Sequence, residues 1–191
     1  MRVATRRRRE GFNEKRERLG AVDDPATVLE AALRFLEPRP RSIGEVRRRL
    51  TRVGYREDLV EGAIARLIEL GMLDDEAFAR SWIESRDRAR PRGERALRME
   101  LARKDIERTV TDGAIAERET ARPEADEAAA RLLLARNERS LIRIVDPRVR
   151  RQRAYALLAR NGFESELAGQ LVRVLEVEAD DAQDADAAPG D

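Results

Sequence analysis

Apolar residues recur along this chain at helical spacing, in short bursts separated by turn residues. The first burst starts near Thr27 and sets Val28, Leu29, Ala32, Leu33 and Leu36 on one face before Pro38 stops it. Ser42 and Glu45 then form an S-x-x-E capping box. The helix it opens turns Val46, Leu50 and Val53 inward and ends at Gly54, which is free to take the left-handed conformation of a helix stop. A third burst, Leu59, Val60, Ala63, Ile64 and Leu67, closes at Gly71. Residues 27 to 72 therefore read as a three-helix unit.

The unit returns. RRRLTRVGYREDLVEGAI, RMELARKDIERTVTDGAI and YALLARNGFESELAGQLV align without gaps, bringing Leu50, Leu101 and Leu158 into register, and likewise Tyr55, Ile106 and Phe163. The pattern predicts an all-α protein, an elongated array of three tandem three-helix repeats at 27–72, 73–122 and 123–175. Each apolar face needs a neighbour to cover it. Gly54 and Gly162 fill the helix-stop position, whereas the middle copy has Asp105. A residue with a Cβ tolerates the left-handed region less well, so a distorted turn is expected there. Pro-Arg pairs recur near the start of each second helix, at Pro40-Arg41, Pro91-Arg92 and Pro147-Arg148. Proline suits that position and arginine opposes the helix dipole, which hints that a partner uses the arginines.

Between the first two repeats stands GMLDDEAFARSW, whose carboxylates Asp74, Asp75 and Glu76 could hold a metal or start a helix. The second reading fits better. Asp74 is placed as an N-cap with Asp75 and Glu76 in the first turn, and Leu73 and Phe78 have the spacing of a hydrophobic staple. Ala79, Trp82 and Ile83 continue the buried stripe. The glycine turn and alternating oxygen ligands of a calcium loop are missing from this stretch.

Composition narrows the chemistry. With no histidine and no cysteine, the chain lacks the commonest general base, thiolate zinc ligands and cysteine nucleophiles. No phosphate-cradling G-x-x-x-x-G-K-[ST] loop occurs. The expectation is a protein that is not an enzyme and needs no cofactor or metal. No apolar run is long enough for a membrane span or a signal core, and a cytoplasmic location is expected. Of 191 residues 40% are charged and the formal net charge is +1, yet the charge is segregated. Residues 1–26 read as a flexible basic arm with RRRR at 6–9, and 176–191 as an acidic disordered tail. Such a surface could meet an acidic protein face or a polyanion.

GMLDDEAFARSWIESRDRARPRG, together with RPRSIGEVRRRLTRVGY and LLARNGFESELAGQLV, resembles the RecX family of bacterial RecA regulators over about 27 to 175. The resemblance implies tandem three-helix units. It implies a non-enzymatic regulator that binds the RecA nucleoprotein filament, typically in its groove, and suppresses ATP hydrolysis, strand exchange and co-protease activity; a monomer is expected. Some members of that family also bind single- or double-stranded DNA. The motif residues Leu73, Phe78, Trp82, Gly93 and Phe163 read as core and caps. Charge and repeat position point instead to Arg41, Arg47, Arg48, Arg49 and Arg52 in the first repeat, Arg92 and Arg95 in the second, and Arg148, Arg150, Arg151 and Arg153 in the third. A solvated charged face would explain the same residues. The alternative function is a helical DNA-binding protein of helix-turn-helix type, set against twelve basic and twelve acidic residues in the middle repeat and 4% aromatic residues overall.

Overall fold

The structure is a computed structural model that describes residues 11–173. It is all-α and built of repeated three-helix modules. The first module comprises α2 (Pro25–Leu36), α3 (Ile43–Val53) and α4 (Glu57–Glu69), and the second α5 (Asp75–Ala89), α6 (Glu94–Ala102) and α7 (Arg108–Ala121). The third contains α8 (Ala125–Ile142), α9 (Pro147–Arg160) and α10 (165–173). Local sequence explains most boundaries. Asp24 accepts from the backbone N–H groups of Ala26 and Thr27 at the start of α2, Ser42 and Glu45 form the reciprocal box at α3, and Asp74 accepts from Ala77 N–H at 2.9 Å at the start of α5.

The described residues fall into two compact units. One comprises the chain up to Phe78 with Lys104–Ile106, and the other Ala79–Arg103 with everything from Glu107 onward. In the first, Val28, Ala32, Val46, Leu50, Val60, Ile64 and Leu67 form one core. In the second, Ala130, Leu134, Ala154, Leu158, Phe163 and Leu171 share a core. The register leucines Leu50, Leu101 and Leu158 are each at most 2% exposed.

Two expectations are corrected. Asp105 adopts φ 58°, a left-handed residue like Gly54 (φ 115°) and Gly162 (φ 85°), and not a distorted turn. Aspartate is among the few side chains that tolerate this region, and here its carboxylate also reaches the Arg48 guanidinium at 2.9 Å. Second, the stretch taken for a flexible arm contains α1 (Phe12–Gly20). Glu14 accepts from Gly11 N–H, and Leu19 is buried on the first unit. The basic run at 6–9 and the acidic segment 176–191 lie outside the described residues.

A neighbouring helix packs closely on each stop turn. The Asp105 turn is gripped by the start of α3, where Ser42 Oγ donates to Lys104 C=O and a Cβ on Gly44 would overlap the Asp105 Cβ. The Gly162 turn is gripped by the start of α6. There Gly93 N–H donates to Asn161 C=O at 3.0 Å, and a Cβ on Gly93 would overlap the Gly162 backbone. The Gly54 turn is covered by α1, with Arg16 C=O 2.8 Å from where a Gly54 Cβ would stand. Helix α1 thus serves the first repeat as a preceding second helix serves the others.

Gly44→Ala should destabilise the fold by about 1–3 kcal/mol through overpacking, although alanine favours a helix by about 1 kcal/mol. In an Asp105→Gly background the penalty should vanish, because the three atoms nearest the new methyl all belong to the Asp105 side chain. Urea unfolding of the four proteins tests this. Additive effects would show that the two positions do not touch.

Candidate functional site

Successive residues of α3 turn by roughly 100°, so Arg48, Arg49 and Arg52 lie on one exposed side, with Arg41 below them and Glu45 between. The side chains differ in how far they are committed. Arg47 is tied to Glu61 of α4 by two bonds of 2.6 and 2.8 Å, and burial is outweighed by that carboxylate, which holds its pKa above the ordinary value. Arg48 pairs with Asp105. Arg41 is packed away: its guanidinium lies 4.2 Å from the Phe35 ring centre, and burial together with Arg39 and Arg49 lowers its pKa. Arg49 sits over the same ring at 5.7 Å and stays exposed. Arg52 is exposed and has no carboxylate partner among the described residues.

Glu45 is the node beneath this face. It accepts from Lys104 Nζ at 2.9 Å, from Arg39 at 3.3 Å and from Ser42 N–H at 3.3 Å, and lies 4.0 Å from Arg41. Burial pushes its pKa up, but the Lys104 ammonium and the Ser42 N–H outweigh burial and leave it below the usual carboxylate range. One anion therefore holds a lysine and two arginines around the start of α3.

The remaining arginines do not form one cluster. Arg92 precedes α6 and donates to the Asn161 side chain, and its Nε is 3.3 Å from Glu100 without hydrogen-bond alignment. Asn161 is thirteen residues along α9 from Arg148, about 20 Å at 1.5 Å per residue. Arg95 is exposed on α6. Arg150 donates from Nε to Ile144 C=O at 3.0 Å and closes the α8–α9 turn. Arg148, Arg151 and Arg153 are exposed. Of the Pro-Arg pairs, only Pro147 occupies a first helical position; Pro40 and Pro91 come before the caps Ser42 and Gly93.

Residue reading missed one element. Asp75 does not simply face its own helix: it accepts from Ile43 N–H of α3 at 2.9 Å. Asp126 of α8 repeats this on Glu94 N–H of α6 at 3.0 Å, again 32 residues away. It also takes Arg118 Nη1, while Asp87 holds the rest of that buried guanidinium. An aspartate in the first turn of both helices was the available signal. Among the described residues no group of acidic side chains is set to hold a metal, and no helix is long and apolar enough to cross a membrane.

Residues 29–67 match the model of the RecX first three-helix domain and 74–115 that of the second. The chain is 35% identical to the regulatory protein RecX of Streptomyces coelicolor over 162 residues, covering 84% of each chain. The chain belongs to the RecX family. Within it, RecX of Mycolicibacterium smegmatis is 35% identical over 80% of this chain and 84% of its own, and that of Chlorobium phaeobacteroides 30% identical over 76% and 91%. The fold is shared with a crystal structure of regulatory protein RecX (TM-score 0.68, 23% identity, 78% of this chain and 72% of that one). It is shared also with RecX from Lactobacillus salivarius (TM-score 0.64, 21% identity, 81% and 98%).

Because the Glu45 pKa is lowered on folding, its contribution is present above the ordinary glutamate pKa and is lost as pH falls through the lowered one. Glu45→Gln should cost about 1.5–3 kcal/mol at pH 7, the range for hydrogen bonds to charged groups, and progressively less below about pH 4. Urea unfolding of both proteins at pH 7 and pH 3 measures it; an equal cost at both pH values would contradict the pairing.

Proposed function

We propose that this RecX-family chain binds RecA on its nucleoprotein filament and lowers ATP hydrolysis, strand exchange and co-protease activity. The observation that carries this reading is the family relationship over 84% of the chain, joined to the motif resemblance described above. Members of the family are regulators and not catalysts. In the first unit the exposed side of α3 is the contact we assign, with Arg49 and Arg52 as its most available cations. Arg48 joins them by exchanging Asp105 for a partner carboxylate. Arg41 and Arg47 act by holding the face in shape.

The helix-turn-helix alternative is poorly supported by local charge. The third helix of each module would be the recognition helix; α4 begins with Glu57 and Asp58, Glu107 is the N-cap of α7, and Glu164 and Glu166 flank the first residue of α10. Carboxylates suit a helix start but would face DNA phosphates.

The test is single-strand-dependent ATP hydrolysis by RecA of the same cell, with this protein added after filaments have formed. A progressive fall in rate is expected. Arg49→Glu with Arg52→Glu should raise the half-inhibitory concentration at least about tenfold, as loss of interface charges commonly does, with unchanged thermal unfolding. No inhibition by the unaltered protein, together with salt-sensitive binding to bare DNA, would favour the alternative.

A further inference from the structure

The start of the second helix is a covered corner in the first two repeats. At α3 it receives Asp75 and the Lys104 turn, and at α6 Asp126 and the Asn161 turn. In each case the cover includes the acidic first turn of a neighbouring helix. The third repeat differs. Asp146 supplies its own cap to Arg148 and Val149 N–H, Pro147 brings no N–H to satisfy, and no neighbouring segment covers the corner among the described residues.

What the corner presents instead is apolar. Ile142 is 61% exposed, Val145 89% and Val149 43%, all within eight residues around one turn. A terminal repeat that only shields the array would carry a polar outer face, and single exposed apolar residues need no explanation where a cluster does. The rim is basic. Between Arg139 and Arg153 the sequence has six arginines and one acid, Asp146, which is used as the cap. Arg139, Arg143 and Arg148 have no carboxylate partner among the described residues.

We propose that the α8–α9 corner is a docking surface for an acidic amphipathic helix of a partner protein. The apolar side of that helix covers Ile142, Val145 and Val149, and its carboxylates meet Arg139, Arg143 and Arg148. The chemistry repeats what the fold does at α3 and α6, with one difference. Because α9 is capped from within, recognition passes to the arginine side chains and not to backbone N–H groups. This surface shares no residue with the α3 face and does not depend on the RecA reading.

The experiment uses the full chain and a fluorescent synthetic helix carrying leucines at i, i+3, i+4 and i+7 and glutamates on the flanks, with polyglutamate of equal length and an oligothymidylate as comparisons. Anisotropy should show binding of the amphipathic peptide that persists at moderate salt, with polyglutamate at least about tenfold weaker. Val145→Asp and the pair Arg143→Glu, Arg148→Glu should each weaken the peptide by about tenfold or more. All three positions are exposed, so thermal unfolding should be unchanged. Equal binding of polyglutamate, or of the peptide by Val145→Asp, would overturn the proposal. Oligothymidylate binding that is lost in the arginine pair but kept in Val145→Asp, with no peptide binding, would overturn it in favour of nucleic acid.

Discussion

The grip of a helix start on a helix-stop turn is the contact on which this fold depends. Two demands meet there. The stop turn needs a left-handed residue, and the helix start has N–H groups without intrahelical partners. Bringing them together lets a neighbouring aspartate accept from a helix-start N–H, while the turn's carbonyl accepts from the Ser42 hydroxyl at α3 and from Gly93 N–H at α6, and it requires close approach. Hence Gly44 and Gly93 are small where they meet Asp105 and Gly162. A larger side chain at Gly93 would push against the Gly162 backbone and one at Gly44 against the Asp105 side chain, and either would strain the hydrogen bonds made there.

The first and third repeats show what happens when a neighbour is missing. At the first repeat α1 takes the empty seat over Gly54, although a nine-residue helix has little stability alone and depends on burying Leu19 and on the fit of Arg16. At the third, α9 brings its own aspartate and proline. These solutions differ in what they leave exposed. The first covers the Gly54 turn with α1, whereas the other leaves an apolar corner ringed by arginine.

Charge is distributed by the same logic. Arginine is abundant throughout, yet much of it is spent on structure: Arg118 is buried between Asp87 and Asp126, Arg136 donates to the last carbonyls of α5, and Arg47 clamps α4. Regulation by contact requires cations left over after such uses. In the first unit Arg49 and Arg52 are left on one side of α3, while Glu45 beneath them holds Lys104, Arg39 and Arg41.

Periodicity determined the helices of the repeats, their grouping in threes and the register of Leu50, Leu101 and Leu158, because burial of an apolar stripe is a local constraint that each of those helices carries in its own sequence. Helix α1 carries no such stripe and was not legible. Asp74 was legible as a cap for the same reason. The role of Asp75 was not, since its acceptor faces an N–H 32 residues away and nothing nearby in the chain reveals it. The eleven candidate arginines looked alike by charge and repeat position. Only the tertiary structure separated Arg47 and Arg41, committed to Glu61 and Phe35, from Arg49 and Arg52. Whether a cation is available depends on the partners that folding brings within reach, and those come from other helices.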